Sequence, residues 1–203
     1  MTRNRSRPNG MRAEIAAVAA RIMAESGIDD FALAKRKAAR QLGAGESHTL
    51  PGNDEIEAEL HAYRALYQAT EHPDRIRELR AAALSIMREL APFNPYLIGP
   101  VLKGIAGPYA EIELQLFPDS VKEVEIFLLN RHVIFASSEA RRYSGDQVRS
   151  VTVLELDWSG APVKLSVFDC RDERTALKTS QAGRTIERAG IAEVSSLVQA
   201  RDG

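Results

Sequence analysis

Glu111 and Glu113 flank a single isoleucine in the run Ala110-Glu111-Ile112-Glu113-Leu114. Side chains alternate along a strand, so two acids at i and i+2 project from one face, while Ile112, Leu114 and Leu116 face the other way into a core. Paired carboxylates can hold a divalent cation, and a cation held beside a phosphate is the central need of metal-assisted phosphoryl or nucleotidyl transfer. Glycines precede the pair at Gly99, Gly104 and Gly107. A glycine turn lets backbone N–H groups approach an anion closely. Lys103 stands within this stretch as a candidate phosphate contact.

The elements that must position these residues can be read from periodicity. Residues 12–26 carry Ile15, Val18, Ala19, Ile22 and Met23 at helical spacing, and Gly27 suits the left-handed residue after a helix. Asp29 or Asp30 caps a second helix through FALAKRKAARQL. A third helix starts near Asn53 or Asp54 and runs to Thr70, with Ile56, Leu60, Tyr63 and Tyr67 on one face. A fourth begins at Pro73, placed at its first position, and ends before Pro92. Beyond that the pattern changes to strands at 96–102, 110–117, 132–137, 149–157 and 162–169, with a helix at 119–131 and another at 184–200. Ser159-Gly160-Ala161-Pro162 turns the last two strands into a hairpin. The expectation is an α+β protein: a basic arm at 1–11 without fixed structure, a helical region at 12–92, and a small domain at 93–203 with a mixed sheet of about five strands.

In these residues the chain resembles the nucleotidyltransferase superfamily, the polymerase-beta-like fold. Gly99-Pro100 stands where that family has Gly-Ser, Gly104 stands for its second glycine, and AEIEL stands for its Ser-Asp-Ile-Asp-Leu-type run. With its helical leader and the segments LAKRKAARQLG and VEIFLLN, the chain also resembles a group of small, uncharacterised bacterial proteins with a degenerate form of that motif. The resemblance implies that Glu111 and Glu113 bind Mg²⁺, that Gly99, Lys103 and Gly104 form the nucleotide-binding turn, and that a later strand supplies a third acid. It implies Mg²⁺-dependent transfer of a nucleoside monophosphate from a nucleoside triphosphate to an acceptor.

Three departures from the family pattern support an alternative reading. Both acids are Glu, and the extra methylene carries each oxygen outward by about 1 Å in a site where Mg²⁺ demands near-octahedral geometry. Pro100 removes a hydroxyl and an N–H from the turn. The strand VKLSVFD offers Lys164 and Ser166 where the third acid is expected, which leaves Asp157 as the candidate catalytic acid, with Glu155 on its strand face, or Asp169 at the strand end. The alternative is a relative that has lost catalysis and binds a nucleotide, RNA or a protein. Lys35, Arg36, Lys37 and Arg40 on the second helix are the candidate contacts for RNA or a protein partner.

Composition bounds these readings. The chain has 203 residues, 44% of them hydrophobic and 27% charged, enough for a packed core. A formal net charge of −1 argues against binding nucleic acid by global charge alone. No apolar run reaches membrane-spanning length, so no membrane partner is expected. The single cysteine, Cys170, excludes an intrachain disulfide and fits a cytoplasmic location. The four histidines, His48, His61, His72 and His132, lack metal-ligand spacing.

Overall fold

The computed structural model describes residues 8–28, 30–44, 50–67, 71–107, 109–144, 147–175, 178 and 185–200. Asp29, His48, most of the basic arm and parts of the loops expected at 43–53 and 171–183 lie outside the described residues. By its contacts the chain forms two compact units, Met1–Arg75 with Ile105–Ala110, and Ile76–Gly104 with Glu111–Gly203.

The first unit is built on α1 (Pro8–Ser26), α2 (Phe31–Gln41) and α3 (Asn53–Tyr67). The first helix reaches back to Pro8, so residues 8–11 are helical rather than part of a free arm. Gly27, with φ of 65°, takes the left-handed position after it, and its N–H donates to the Met23 carbonyl. Asp30 caps α2 by accepting from the Ala32 and Leu33 N–H groups. The core of this unit is rich in alanine: Ala16, Ala19 and Ala20 of α1 and Ala34 and Ala38 of α2 are buried against Ile15, Ile56 and Leu60. Small side chains let helix axes approach closely, at the expense of apolar area per residue. On α3 the buried positions are Ile56, Leu60 and Arg64, whereas Tyr67, expected on that stripe, is largely exposed. The i, i+4, i+8 ladder passes through residue 64, not 67, and Arg64 is buried there to its guanidinium, Nε and Nη1 included.

The second unit holds α4 (Glu71–Glu89, counted from Ile76), a short α5 (Gly99–Lys103), α6 (Val121–Asn130) and α7 (Ile191–Gln199) around a five-stranded sheet. The α4 helix starts two residues before Pro73, so the proline lies within its first turn rather than at its first position. The strands are β1 (Tyr96–Ile98), β2 (Ile112–Leu116), β3 (Phe135–Ser144), β4 (Gln147–Trp158) and β5 (Ala161–Val167), in the order β1-β2-β5-β4-β3. Only β2 and β5 run parallel; the other neighbours are antiparallel, so the fold is α+β with a mixed sheet. Leu97, Leu114, Leu165 and Leu154 form one fully buried row across four strands.

Three further expectations need correction. The strand expected at 96–102 stops at Ile98, and residues 99–103 turn into α5, because Gly99 adopts φ of 71° and Pro100 sits in the first turn. The hairpin turn is only Ser159-Gly160, both at positive φ, with Ala161 and Pro162 already in β5. Pro162 is tolerated because the parallel ladder to β2 begins one residue later, at Val163. The last helix starts at Ile191, not 184. Ala189 instead pairs with Leu97 on the free edge of β1, and Ile186 packs with Phe117 and Phe168.

Candidate functional site

The acid pair is carried by β2 and the residue just before it. In the sheet, Glu113 lies between Ile98 of β1 and Lys164 of β5, and Lys164 in turn lies beside Glu155 of β4. Directly opposed residues share a face, so Glu113, Lys164 and Glu155 form one polar row opposite the leucine row. Two residues earlier, Glu111 projects from the same face.

The Lys164 ammonium holds this row together. Its Nζ is 3.1 Å from Glu155 Oε1 and 3.6 Å from Glu111 Oε2. Partial burial pulls its pKa down, but the hydrogen bond to Glu155 and the charges of Glu111, Glu155 and Glu113 outweigh that and raise it. The ammonium is therefore held charged. With side chains between a third and a half exposed, each ion pair is worth only about 0–1 kcal/mol. Its importance is positional: a fixed cation stands among carboxylates that would otherwise repel one another.

Gly99 closes one side. An ideal Cβ built on it would lie 2.9 Å from both Cδ and Oε1 of Glu113, so the Glu113 carboxylate rests over the glycine backbone. After Gly99 the chain makes the single turn of α5, and Gly104, at φ of 71°, ends it with its N–H toward the Val101 and Pro100 carbonyls. Arg80 of α4 braces the same turn, its Nε donating to the Val101 carbonyl at 3.2 Å and its Nη2 to that of Leu102 at 2.8 Å. Nothing in the sequence marks Arg80 for this role, since its partners are backbone carbonyls twenty residues away. Lys103, the last residue of α5, is partly buried.

Asp157 lies on the same face as Glu155 but at the hairpin end, where its Oδ1 accepts from Gly160 N–H at 2.7 Å. That bond holds the turn. Asp169 is farther away, beyond the end of β5, and is clamped by Arg171, whose Nε and Nη2 both donate to it at 2.9 Å. Among the described residues, no three His, Cys, Asp or Glu side chains gather as a metal site. With an ammonium between Glu111 and Glu155 and Asp157 engaged in the turn, the donor set does not fit a pair of Mg²⁺ ions.

Deeper on this face the chemistry changes. Gln115 and Ser166 are 1% and 3% exposed, and Gln115 Nε2 has no hydrogen-bond partner. Tyr96, Phe117 and Phe168 lie beyond, with Arg188 stacked over Tyr96 at 4.7 Å. The Cys170 thiol is pushed up in pKa by its hydrogen bond to Asp119 and by burial, the opposite of what an activated nucleophile needs.

The basic helix divides. Lys35 is half-buried and donates to Asn53 Oδ1 at 2.7 Å, whereas Arg36, Lys37 and Arg40 are exposed. No described helix is long and apolar enough to cross a membrane. Compared with protein-family models the chain matches none, and among curated proteins no significant match is found.

Proposed function

We propose that this protein is a catalytically degenerate nucleotidyltransferase-like scaffold, acting as a binding module rather than as a phosphoryl-transfer enzyme. One observation carries the reading: Lys164 lies beside Glu113 in the parallel β2–β5 ladder and bridges Glu111 and Glu155. A metal-dependent site would want a third acid on such a neighbouring strand. A lysine there supplies one positive charge to the row and opposes the entry of two more. The row still carries more carboxylate than ammonium, so without a metal it repels a bare triphosphate.

A second reading, Mg²⁺-dependent nucleotidyl transfer, draws on the close approach of Gly99 to Glu113. A glycine turn abutting an acid-bearing strand is the arrangement that joins phosphate to metal in the family the sequence resembles. Calorimetric titration with ATP, GTP, CTP and UTP, each with and without Mg²⁺, separates the two. The degenerate scaffold gives no Mg²⁺-dependent micromolar binding. Such binding, lost in Glu111→Gln or Glu113→Gln, would overturn it.

A further inference from the structure

The α2 helix, Phe-Ala-Leu-Ala-Lys-Arg-Lys-Ala-Ala-Arg-Gln, contains four cations and no acid. Its inner face is fixed by Ala34 and Ala38. Arg36, Lys37 and Arg40 point outward, and among the described residues their side chains have no ion-pair or hydrogen-bond partner. Arg36 and Arg40 are one turn apart, and Lys37 and Arg40 three residues apart, so the three repel one another on a helix that offers no compensating acid. Isolated surface cations are ordinary. A concentrated, uncompensated row within little more than one turn suits a polyanion.

Beside Arg36 a cavity of about 580 Å³ opens. Its apolar wall is Phe31, Ala32 and Leu50; its polar wall is Lys35, Arg36 and Asn53. Asp30 also borders it, but its Oδ1 is already occupied in capping α2. An aromatic ring and a leucine next to an amide and two cations can take the flat face and polar edge of a nucleobase, with the attached phosphate on the cations. Lys35 already donates to Asn53 Oδ1 at 2.7 Å and lies near the charges of Glu55 and Asp54, so the exposed Arg36 is the cation of this wall that meets a phosphate. The outward face of α2 presents Ala32, Arg36, Lys37, Arg40 and Gln41 without a large apolar side chain, which disfavours a lipid surface.

We propose that the first unit binds single-stranded nucleic acid, with one base in the cavity against Phe31 and Leu50 and successive phosphates along Arg36, Lys37 and Arg40. This inference is independent of the acid row in the second unit. RNA and DNA single strands share the chemistry and are distinguished by test.

The experiment is fluorescence anisotropy of the full chain with labelled twelve-nucleotide oligo(U) and oligo(dT), with a duplex of the same length, between 50 and 200 mM salt. Three phosphate contacts predict a slope of about −2 in log K against log salt, at about 0.7 per contact on a single strand. Arg36→Glu with Lys37→Glu and Arg40→Glu should lose at least about tenfold in affinity and most of the slope. Leu50→Ala should lose about fivefold while keeping the slope, because it removes apolar contact with the base and changes no charge. Should charge reversal unfold α2, as circular dichroism would show, Arg36→Gln with Lys37→Gln reads the same slope. No binding of either strand at 50 mM salt, affinity within twofold in the triple variant, or duplex bound as tightly as single strand would each overturn the proposal.

Discussion

Replacing Gly99 by alanine perturbs the one place where a backbone conformation and an acid of the row depend on each other. Gly99 holds φ of 71°, a region that costs an L-residue about 1–2 kcal/mol. The new Cβ would lie 2.9 Å from the Glu113 carboxylate, which is closer than nonbonded atoms tolerate. The carboxylate is the far end of a flexible side chain, so it can rotate away for about 0.5–1 kcal/mol of rotamer strain. The sum is about 2 kcal/mol, or about 4–8 °C in melting temperature for a chain of this size. Thermal unfolding followed by circular dichroism measures it. A second variant, Gly99→Ala with Glu113→Ala, separates the parts: truncating Glu113 should return the steric portion, about a third of the loss, and leave the backbone portion. A Gly99→Ala variant that melts within about 1 °C of wild type would refute this coupling. The coupling is equally refuted if the double variant recovers all of the loss, since then the backbone conformation imposes nothing.

Two other contacts, one in each unit, can be tested by removing a single partner. Arg80→Ala removes both donors from the α5 carbonyls and should destabilise by about 1.5–3 kcal/mol, with Arg80→Lys recovering only part because an ammonium lacks the fork; chemical denaturation reads both. Hydrogen bonds from Arg12 and from Gly52 N–H hold the Glu55 carboxyl at about 2, below its ordinary 4.5. Because the folded value is the lower one, the stabilisation is present above 4.5 and is lost as pH falls toward 2. NMR titration should show Glu55 returning toward the usual carboxylate range in Arg12→Ala, and an unchanged titration would defeat the assignment.

Much of the fold was legible in the sequence because local signals and tertiary packing agree. Asp30 and Gly27 sit at helix ends where their chemistry is wanted, and the alternation through Ile112, Leu114 and Leu116 does identify a buried strand face. The failures lie where tertiary context decides. Residues 99–102 read as strand because Val101 and Leu102 are apolar, yet a left-handed glycine followed by proline turns them into a helix. Residues 185–190 read as helix, but the free edge of β1 recruits Ala189 instead. The candidate site was half legible. Period-two alternation places Glu111 and Glu113 on one face, but which residue of β5 lies beside Glu113 depends on a parallel register spanning fifty residues. That register selects Lys164. Asp157 was a reasonable candidate by face and parity, and its bond to Gly160 follows from the tightness of the hairpin turn, which the four residues taken as turn had obscured.

The central claim is that Lys164 occupies the electrostatic place of a metal ion in the acid row. A divalent ion about 4 Å from the ammonium is opposed by about 2–8 kcal/mol, depending on the local dielectric. The low end applies to this partly exposed row, and about 2 kcal/mol corresponds to about thirtyfold in affinity. The direct measurement is Mn²⁺ binding, followed by electron paramagnetic resonance, in wild type and Lys164→Ala. Weak binding is expected in wild type, at least about thirtyfold tighter binding in Lys164→Ala, and loss of that gain when Glu111→Gln is added. Tight binding in wild type that Lys164→Ala leaves unchanged would contradict this claim.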